Sequence, residues 1–383
     1  MTTQTAYRCS RIFDGEKIHR DAVLLLEGGA VVDLCGPSQV PATASQVDLG
    51  DGILSPGLID LQVNGGGGLM LGDVESVEDI ARICHAHLQL GTTALVPTLI
   101  TDTPETTRRV VTLGIEAWAR GVRGFHGLHL EGPHLFKGRK GAHDPDLIRP
   151  MTGDDVELYL YAARQLPSLI ITLAPETVTP DQIGVLADAG IHVSLGHSGA
   201  TYEECRAATE GGASCVTHLF NAMSPLQHRE PGLVGAALDL GALSVGLIAD
   251  GVHVDPVAMK IALKAKTGPG RIFLVTDAMS QTGTDVTSFT LGGREIFRRD
   301  GTLTLADGTL AGADIDLPAS LRYLTQTLEI PLETALGMAT SIPASVLGRP
   351  MGRLAEGNAA DFVLFDEALG VSSVWLNGQA LVG

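Results

Sequence analysis

Eight short apolar runs, centred on residues 58–63, 93–99, 125–131, 169–175, 192–197, 214–219, 243–249 and 271–277, are separated by stretches long enough for a helix. Runs such as LIITLAPE and IFLVTDAMS are continuously apolar instead of alternating, as expected of parallel strands covered on both faces. Segments 75–90 and 200–210 fit helices, the first after an Asp/Glu/Ser-rich start and the second after HSGAT. Eight strand–helix units over residues 58–277 predict a TIM (β/α)8 barrel; an open doubly wound sheet is the alternative.

Outside that region the texture changes. The first 50 or so residues alternate short apolar runs with Gly, Asp and Pro, as in DAVLLLEGGAVVDLCGP, which reads as small antiparallel strands and turns. GRLAEGNAADFVLFDEALGVSSVWLNGQALVG repeats the pattern at the C-terminus, so both ends are expected to build one small β-sandwich from residues 1–53 and 351–383. The barrel is expected over 54–350, with an inserted hairpin at 284–312 around DGTLTLADGTLAG and a return to helix at 314–347.

Composition narrows the chemistry. A chain of 383 residues that is 44% hydrophobic can bury a large core. Its formal charge of −18 repels nucleic acid and anionic lipid, so neither is an expected partner, and an anionic substrate must be held by a local group of donors. The five cysteines, Cys9, Cys35, Cys84, Cys205 and Cys215, are scattered and never form C-x-x-C, which argues against a disulfide framework or a thiolate zinc knuckle. Neither a signal-peptide core nor a run of about 18 apolar residues is present, and a soluble cytoplasmic protein is expected.

In a barrel the chemistry sits where strands finish. Here the first run closes with Gln62 and Asn64, the third with His129 and Glu131, the fifth with His197, the sixth with His218, the seventh with Asp250 and His253, and the eighth with Asp277. Each is expensive to bury unpaired, and a shared metal ion or substrate would remove that cost. A carboxylate with two imidazoles and one open position is a recurring hydrolytic zinc set, and Glu131, His197 and His218 fit it. Asp277 could take a proton from water and return it to a leaving amine; the bland alternative is a helix cap or a support for a neighbour.

The segments HLEGPHL and KGAH (129–143), GHSGAT (196–201), THLFNAM and REPGLVG (217–235), IADGVHV (248–254), VTDAMS (275–280) and LAGA (310–313) resemble the N-acetylglucosamine-6-phosphate deacetylases of the amidohydrolase superfamily. The resemblance runs in order over nearly the whole chain, from SPGLIDLQVNG to GRLAEGNAADFVLFD. It implies a TIM barrel with a β-sandwich from both termini, and removal of acetate from N-acetylglucosamine 6-phosphate, with N-acetylgalactosamine 6-phosphate as the alternative. It implies Glu131, His197 and His218 as metal ligands, Asp277 as the acid/base, and His143 as the group that helps the metal polarise the acetyl carbonyl. Asn221, the Ala222 backbone, His253 and Arg229 match sugar-phosphate contacts, Arg229 being supplied by the neighbouring subunit of a homodimer. Ala142 and the stretch Leu310, Ala311, Gly312 match substrate-contacting backbone.

Many amidohydrolases carry His-x-His where this chain has Gln62-x-Asn64, and neutral amides are poor ligands for a transition metal. One divalent ion per subunit is therefore expected, zinc being the ion that best suits the set. NGGGG lacks the lysine and spacing of a phosphate loop and fits a sharp backbone turn. His134 stands where the family is commonly aromatic and is expected in a packing or surface role, with contact to the metal site as the alternative; His85, His87 and His192 are expected to be structural or surface residues, and Glu176 is a candidate support at the mouth. The rivals are a cyclic amidase or nucleobase deaminase, whose His-x-His pair or carboxylated lysine is not found, and a non-catalytic binding protein, which would be expected to have lost ligands.

Overall fold

Most of the barrel helices begin where short polar side chains close the preceding loops. In the computed structural model, which describes residues 4–291, 293–299 and 301–382, the helices are α1 (Val77–Leu88), α2 (Pro104–Ala119), α3 (Gly153–Gln165), α4 (Pro180–Asp188), α5 (Tyr202–Glu210), α6 (Gly232–Asp239) and α7 (Pro256–Ala265). Thr103 caps α2 by accepting from the Thr106 N–H, with Pro104 at a position that needs no N–H. Thr152, Thr179 and Thr201 form reciprocal capping boxes with Asp155, Gln182 and Glu204 ahead of α3, α4 and α5. Asp255 and Pro256 start α7 in the same manner as the α2 pair.

All eight expected strands form: β1 (Leu58–Val63), β2 (Thr92–Ile100), β3 (Leu128–Glu131), β4 (Leu169–Leu173), β5 (His192–Leu195), β6 (Cys215–Val216), β7 (Ser244–Leu247) and β8 (Ile272–Leu274). Each neighbours the next in sequence order, with parallel registers such as Leu99↔Leu130 and Leu130↔Ile171. The sheet closes through the parallel bridge Val63↔Ala278, with the Asp277 N–H donating to the Gln62 carbonyl at 2.9 Å and the Asn64 N–H to the Ala278 carbonyl at 2.7 Å. That closure makes a TIM barrel and sets aside the open sheet. Several strands are shorter than the apolar runs because the backbone leaves the sheet early: His197, His218 and Asp277 have φ of 47°, 30° and 54°. This left-handed region disfavours side chains with a Cβ.

The segment expected as a hairpin at 284–312 is instead a four-stranded antiparallel meander of Ser288–Leu291, Arg294–Arg299, Thr302–Thr304 and Leu310–Ala313. Its inward positions Leu291, Ile296, Leu303 and Ala311 bury against Met70 and Met279, which gives the extra strands a core to cover. The last of these strands joins the barrel, the Ala313 N–H donating to the Asp277 carbonyl. Residues 292 and 300 of this segment, and 1–3 and 383 of the expected terminal domain, lie outside the described residues.

The chain divides into two compact units, one of Leu61–Ala86 and Leu95–Ile315, the other of the described residues up to Asp60, His87–Ala94 and those from Asp316. The division differs from the expected barrel boundary of 54–350. Residues 316–350, with α8 (Leu317–Arg322), α9 (Leu332–Ala339) and α10 (Ser341–Val346), fall with the termini. Hydrogen bonds explain this: Ser341 Oγ donates to the Gly15 carbonyl, the Ile18 N–H to Glu333, and Arg322 to the Leu369 carbonyl.

The terminal unit contains a four-stranded sheet ordered Ala30–Cys35, Val23–Glu27, Thr5–Arg8, Ser45–Asp48, and a six-stranded sheet. In the latter, Ile53–Pro56 lies between Phe362–Phe365 and Ile12–Phe13, so strands from the two ends interleave. Two pairings, Thr5–Arg8 with Ser45–Asp48 and Ile12 with Leu54, are parallel, where the sequence suggested antiparallel strands throughout. Both sheets contribute to one core of Tyr7, Leu24, Leu54, Phe362 and Trp375. The Trp375 ring stacks on Phe362 at 4.6 Å, and Tyr7 meets both edge-on. Trp375→Ala should destabilise this unit by about 3–5 kcal/mol, read as an earlier urea midpoint by circular dichroism; an unshifted midpoint would remove the aromatic cluster from the folding core.

Candidate active site

Strand alternation sends His129 and Glu131 inward from β3, and both are buried. Glu131 Oε1 lies 3.0 Å from His197 Nε2 and 3.0 Å from His218 Nε2, and those two nitrogens are 3.0 Å apart. Burial alone would raise the Glu131 carboxyl, but the His197 and His218 contacts bring it well below the ordinary carboxylate range. His197 Nδ1 is 2.9 Å from the Arg139 carbonyl, which can only accept, so that nitrogen carries the proton and Nε2 presents a lone pair to the triangle. His218 Nδ1 is buried with no hydrogen-bond partner among the described residues.

The His197 lone pair faces a carboxylate oxygen in a buried site, an arrangement that is unfavourable unless a cation lies between them. Ligands about 2.0–2.2 Å from a tetrahedral ion stand roughly 3.3–3.6 Å from one another, so the 3.0 Å triangle needs only a small expansion to hold a small divalent cation. A second grouping, Glu131, His143 and His197, also brings its ligand atoms within 4.8 Å of one another. Hydrogen bonding argues against His143 as a ligand. Its Nδ1 accepts the Thr101 N–H at 3.2 Å and lies 2.8 Å from Thr101 Oγ1, which puts the ring proton on Nε2. Burial draws this imidazole down to about 3, keeping it neutral, so it offers an N–H donor and no lone pair. The His143 and His197 rings stand 4.4 Å apart with opposite tautomers.

Asp277 closes the other side. Its Oδ1 accepts from Asn64 Nδ2 at 2.6 Å and from Gln62 Nε2 at 3.3 Å, and Gln62 Nε2 also lies 3.3 and 3.4 Å from the two Glu131 oxygens. Burial and then the Glu131 charge raise the Asp277 carboxyl above its ordinary value. His253 Nδ1 is 2.6 Å from Asp250 Oδ2, which orients the other nitrogen, and Asn221 Nδ2 donates to the His218 and Leu219 carbonyls.

Beside these groups lies a cavity of about 180 Å³. Glu131, Ala142, His143, His197, His218, Asn221, Ala222, His253, Asp277, Leu310 and Gly312 all reach it. Ala311 does not; strand alternation turns it into the apolar core of the insert. Arg229 is exposed in its loop and does not line this cavity. His129 is corrected from a mouth residue to a core residue: its nitrogens engage the Leu61 carbonyl at 3.1 Å and Thr172 Oγ1 at 2.7 Å, and burial lowers it to about 4. His134 is fully buried between the Arg149 carbonyl and the Tyr159 hydroxyl, and Glu176 accepts from Ser198 Oγ and the Gly199 N–H just past His197. Thr101 was missed by sequence reasoning, although it closes the second apolar run as the other polar residues close theirs.

The amidohydrolase family model matches residues 53–381. An N-acetylgalactosamine-6-phosphate deacetylase of Shewanella sp. (strain ANA-3) is 43% identical over 334 residues, 87% of this chain and 84% of that one. An N-acetylglucosamine-6-phosphate deacetylase of Haemophilus influenzae is 33% identical over 96% of this chain and 97% of its own length. Among solved structures, a mutant N-acetyl-D-glucosamine-6-phosphate deacetylase of Mycobacterium smegmatis in complex with N-acetyl-D-glucosamine-6-phosphate superposes with a TM-score of 0.92 at 32% identity, covering 100% of both chains. A family match over most of the chain, full-length relatives and a closed barrel with this triangle at its mouth agree: the chain belongs to the amidohydrolase family.

Proposed function

We propose that this protein hydrolyses the acetamide of N-acetylglucosamine 6-phosphate, releasing acetate and glucosamine 6-phosphate. The observation that carries it is the Glu131–His197–His218 triangle with a buried, amide-held Asp277 beside it. N-Acetylgalactosamine 6-phosphate is the second reading, favoured by the 43% identical Shewanella relative of that name.

Glu131, His197 and His218 would hold one divalent cation, zinc by donor type, which when bound supplies a Lewis acid and lowers the pKa of water. Gln62 and Asn64 hold Asp277 Oδ1, leaving Oδ2 to carry the proton. Asp277 takes that proton from the attacking water and delivers it to the sugar nitrogen as the C–N bond breaks. The His143 Nε2–H, fixed by Thr101, donates to the acyl oxygen as negative charge develops there. His253, Asn221 and the Ala222 backbone hold the sugar phosphate, with Leu310, Gly312 and Ala142 forming the walls; the Ala311 backbone follows its neighbours.

In a chain of charge −18 a phosphate dianion needs a cation brought to it locally, and Arg229 is the candidate, contributed by the second subunit of a homodimer. Its exposure supports this, as do exposed Leu226 on the same loop and exposed Val257 and Ile261, one turn apart on α7. A cytoplasmic location fits five unpaired, buried cysteines; among the described residues no helix is long and apolar enough to cross a membrane.

Purified protein should release acetate from both sugar phosphates only without chelator, and the ratio of kcat/KM values identifies the substrate; no acetate from either would overturn the proposal. Adding back the ion to chelator-treated protein should stabilise it by about 2.7 kcal/mol at a hundredfold excess over Kd. Metal analysis should give one ion per chain, and Glu131→Gln should abolish both effects; two tightly held ions would refute the single-ion site. Arg229→Ala should raise KM roughly 10–100-fold for the phosphorylated sugar and leave unphosphorylated N-acetylglucosamine unchanged. An equal rise for both would exclude the phosphate contact.

A further inference from the structure

The catalytic cavity has a larger neighbour. A second cavity of about 400 Å³ adjoins it at the barrel mouth, and Asn64, Ile100, Ala142 and Leu291 line both. The proposed reaction uses none of the apolar wall formed by Ile100 and Leu291. We propose that the second cavity receives the acyl chain, so that this site also hydrolyses neutral N-acyl amino-sugar 6-phosphates with chains longer than acetyl.

The order of strands supplies the direction. Asn221 and His253 follow β6 and β7, whereas Asn64 and Ile100 stand at the ends of β1 and β2, on the other side of the Asp277 strand β8, since β1 closes onto it. A secondary amide is trans, so its two carbon substituents point away from each other across the C–N bond. With the sugar phosphate over β6 and β7, the oxygen on His143 and the nitrogen at Asp277, the acyl substituent projects toward β1 and β2. There it meets Ile100 and Leu291, and beyond them the larger cavity. Two further methylenes occupy a small part of that space.

Charge defines the class of chain. Asp73, Asp102 and Asp144 line the second cavity against one guanidinium, Arg294, which already donates to the Ala142 carbonyl. The excess of carboxylates disfavours acyl chains that end in a carboxylate and accepts neutral ones, including those bearing a hydroxyl. The chemistry is unchanged. The water oxygen bonds to the acyl carbon and the C–N electron pair goes to nitrogen, which takes the proton Asp277 removed from water. The products are the short-chain carboxylate, whose remaining proton passes to solvent, and the amino-sugar phosphate.

The inference rests on the deacetylase function, and the test separates the two. kcat/KM is measured for glucosamine 6-phosphate carrying acetyl, propionyl and butyryl groups. A pocket closed around a methyl loses roughly 10–200-fold for each misfit methylene. Here all three values are expected to agree within about tenfold. A loss above tenfold at either added carbon, with acetyl hydrolysed, overturns the acyl cavity and leaves the deacetylase function standing; failure on all three takes down both. Thr290→Trp at an exposed rim position and Leu147→Trp at a half-buried one narrow the second cavity without touching the first. Each should lower the butyryl-to-acetyl ratio about tenfold while N-acetyl turnover and the melting temperature hold. An unchanged ratio in both variants would overturn the placement of the chain.

Discussion

One carboxylate oxygen in contact with two imidazole nitrogens sets the geometry of the barrel mouth. Glu131 Oε1, His197 Nε2 and His218 Nε2 belong to β3 and to the ends of β5 and β6, so their meeting requires that sheet to curve and the chain to turn sharply where those strands end. The left-handed backbone at His197, His218 and Asp277 is how the turns are made. Each such residue costs on the order of 1–3 kcal/mol, a cost tolerated where surrounding hydrogen bonds leave the backbone no alternative. Neighbouring bonds do so here: the Thr217 N–H donates to the Leu195 carbonyl, the Leu219 N–H to Gly246, and the Asp277 N–H to Gln62.

A second layer fixes which atom each group presents. The segment after β3 is closed at its base by the Arg149 N–H donating to the Pro133 carbonyl and by His134 against the Arg149 carbonyl and Tyr159. Arg149 in turn forms a bidentate pair with Asp155, the capping-box partner of α3. From this closed loop come two things of opposite use. The Arg139 carbonyl accepts the His197 Nδ1–H and so leaves the Nε2 lone pair facing the triangle, while His143 sits on Thr101 and keeps its outward N–H. Glu176 holds Ser198 and Gly199 immediately beyond His197, so that the ring is fixed from both sides.

Much of this was legible in the sequence, for identifiable reasons. Strands covered on both faces read as unbroken apolar runs, so all eight were found, and a polar residue at the end of such a run stands out because its burial needs a partner. The strand boundaries were less legible, since a left-handed histidine carries no local signature when its turn is imposed by tertiary contacts. His129 illustrates another gap. It shares an inward face with Glu131, and only the distance to Thr172 and the Leu61 carbonyl separates a core histidine from a site histidine. Gln62 and Asn64 were recognised as poor ligands, but their use as donors to Asp277 depends on barrel closure. The extra strands of the insert, and the grouping of residues 316–350 with the termini, depend on pairings that composition does not encode.

The interleaved six-stranded sheet bears on synthesis. Ile53–Pro56 emerges from the ribosome long before its neighbour Phe362–Phe365. At a translation rate of about 5–20 residues per second the wait is on the order of 15–60 s. During that interval one edge of an apolar strand has no partner, while the intervening residues, which include all eight barrel strands from Leu58 to Leu274, are already made. The nascent chain is thus exposed to mispairing at its beginning until its end is complete, and a premature stop before residue 362 would leave that edge open for good.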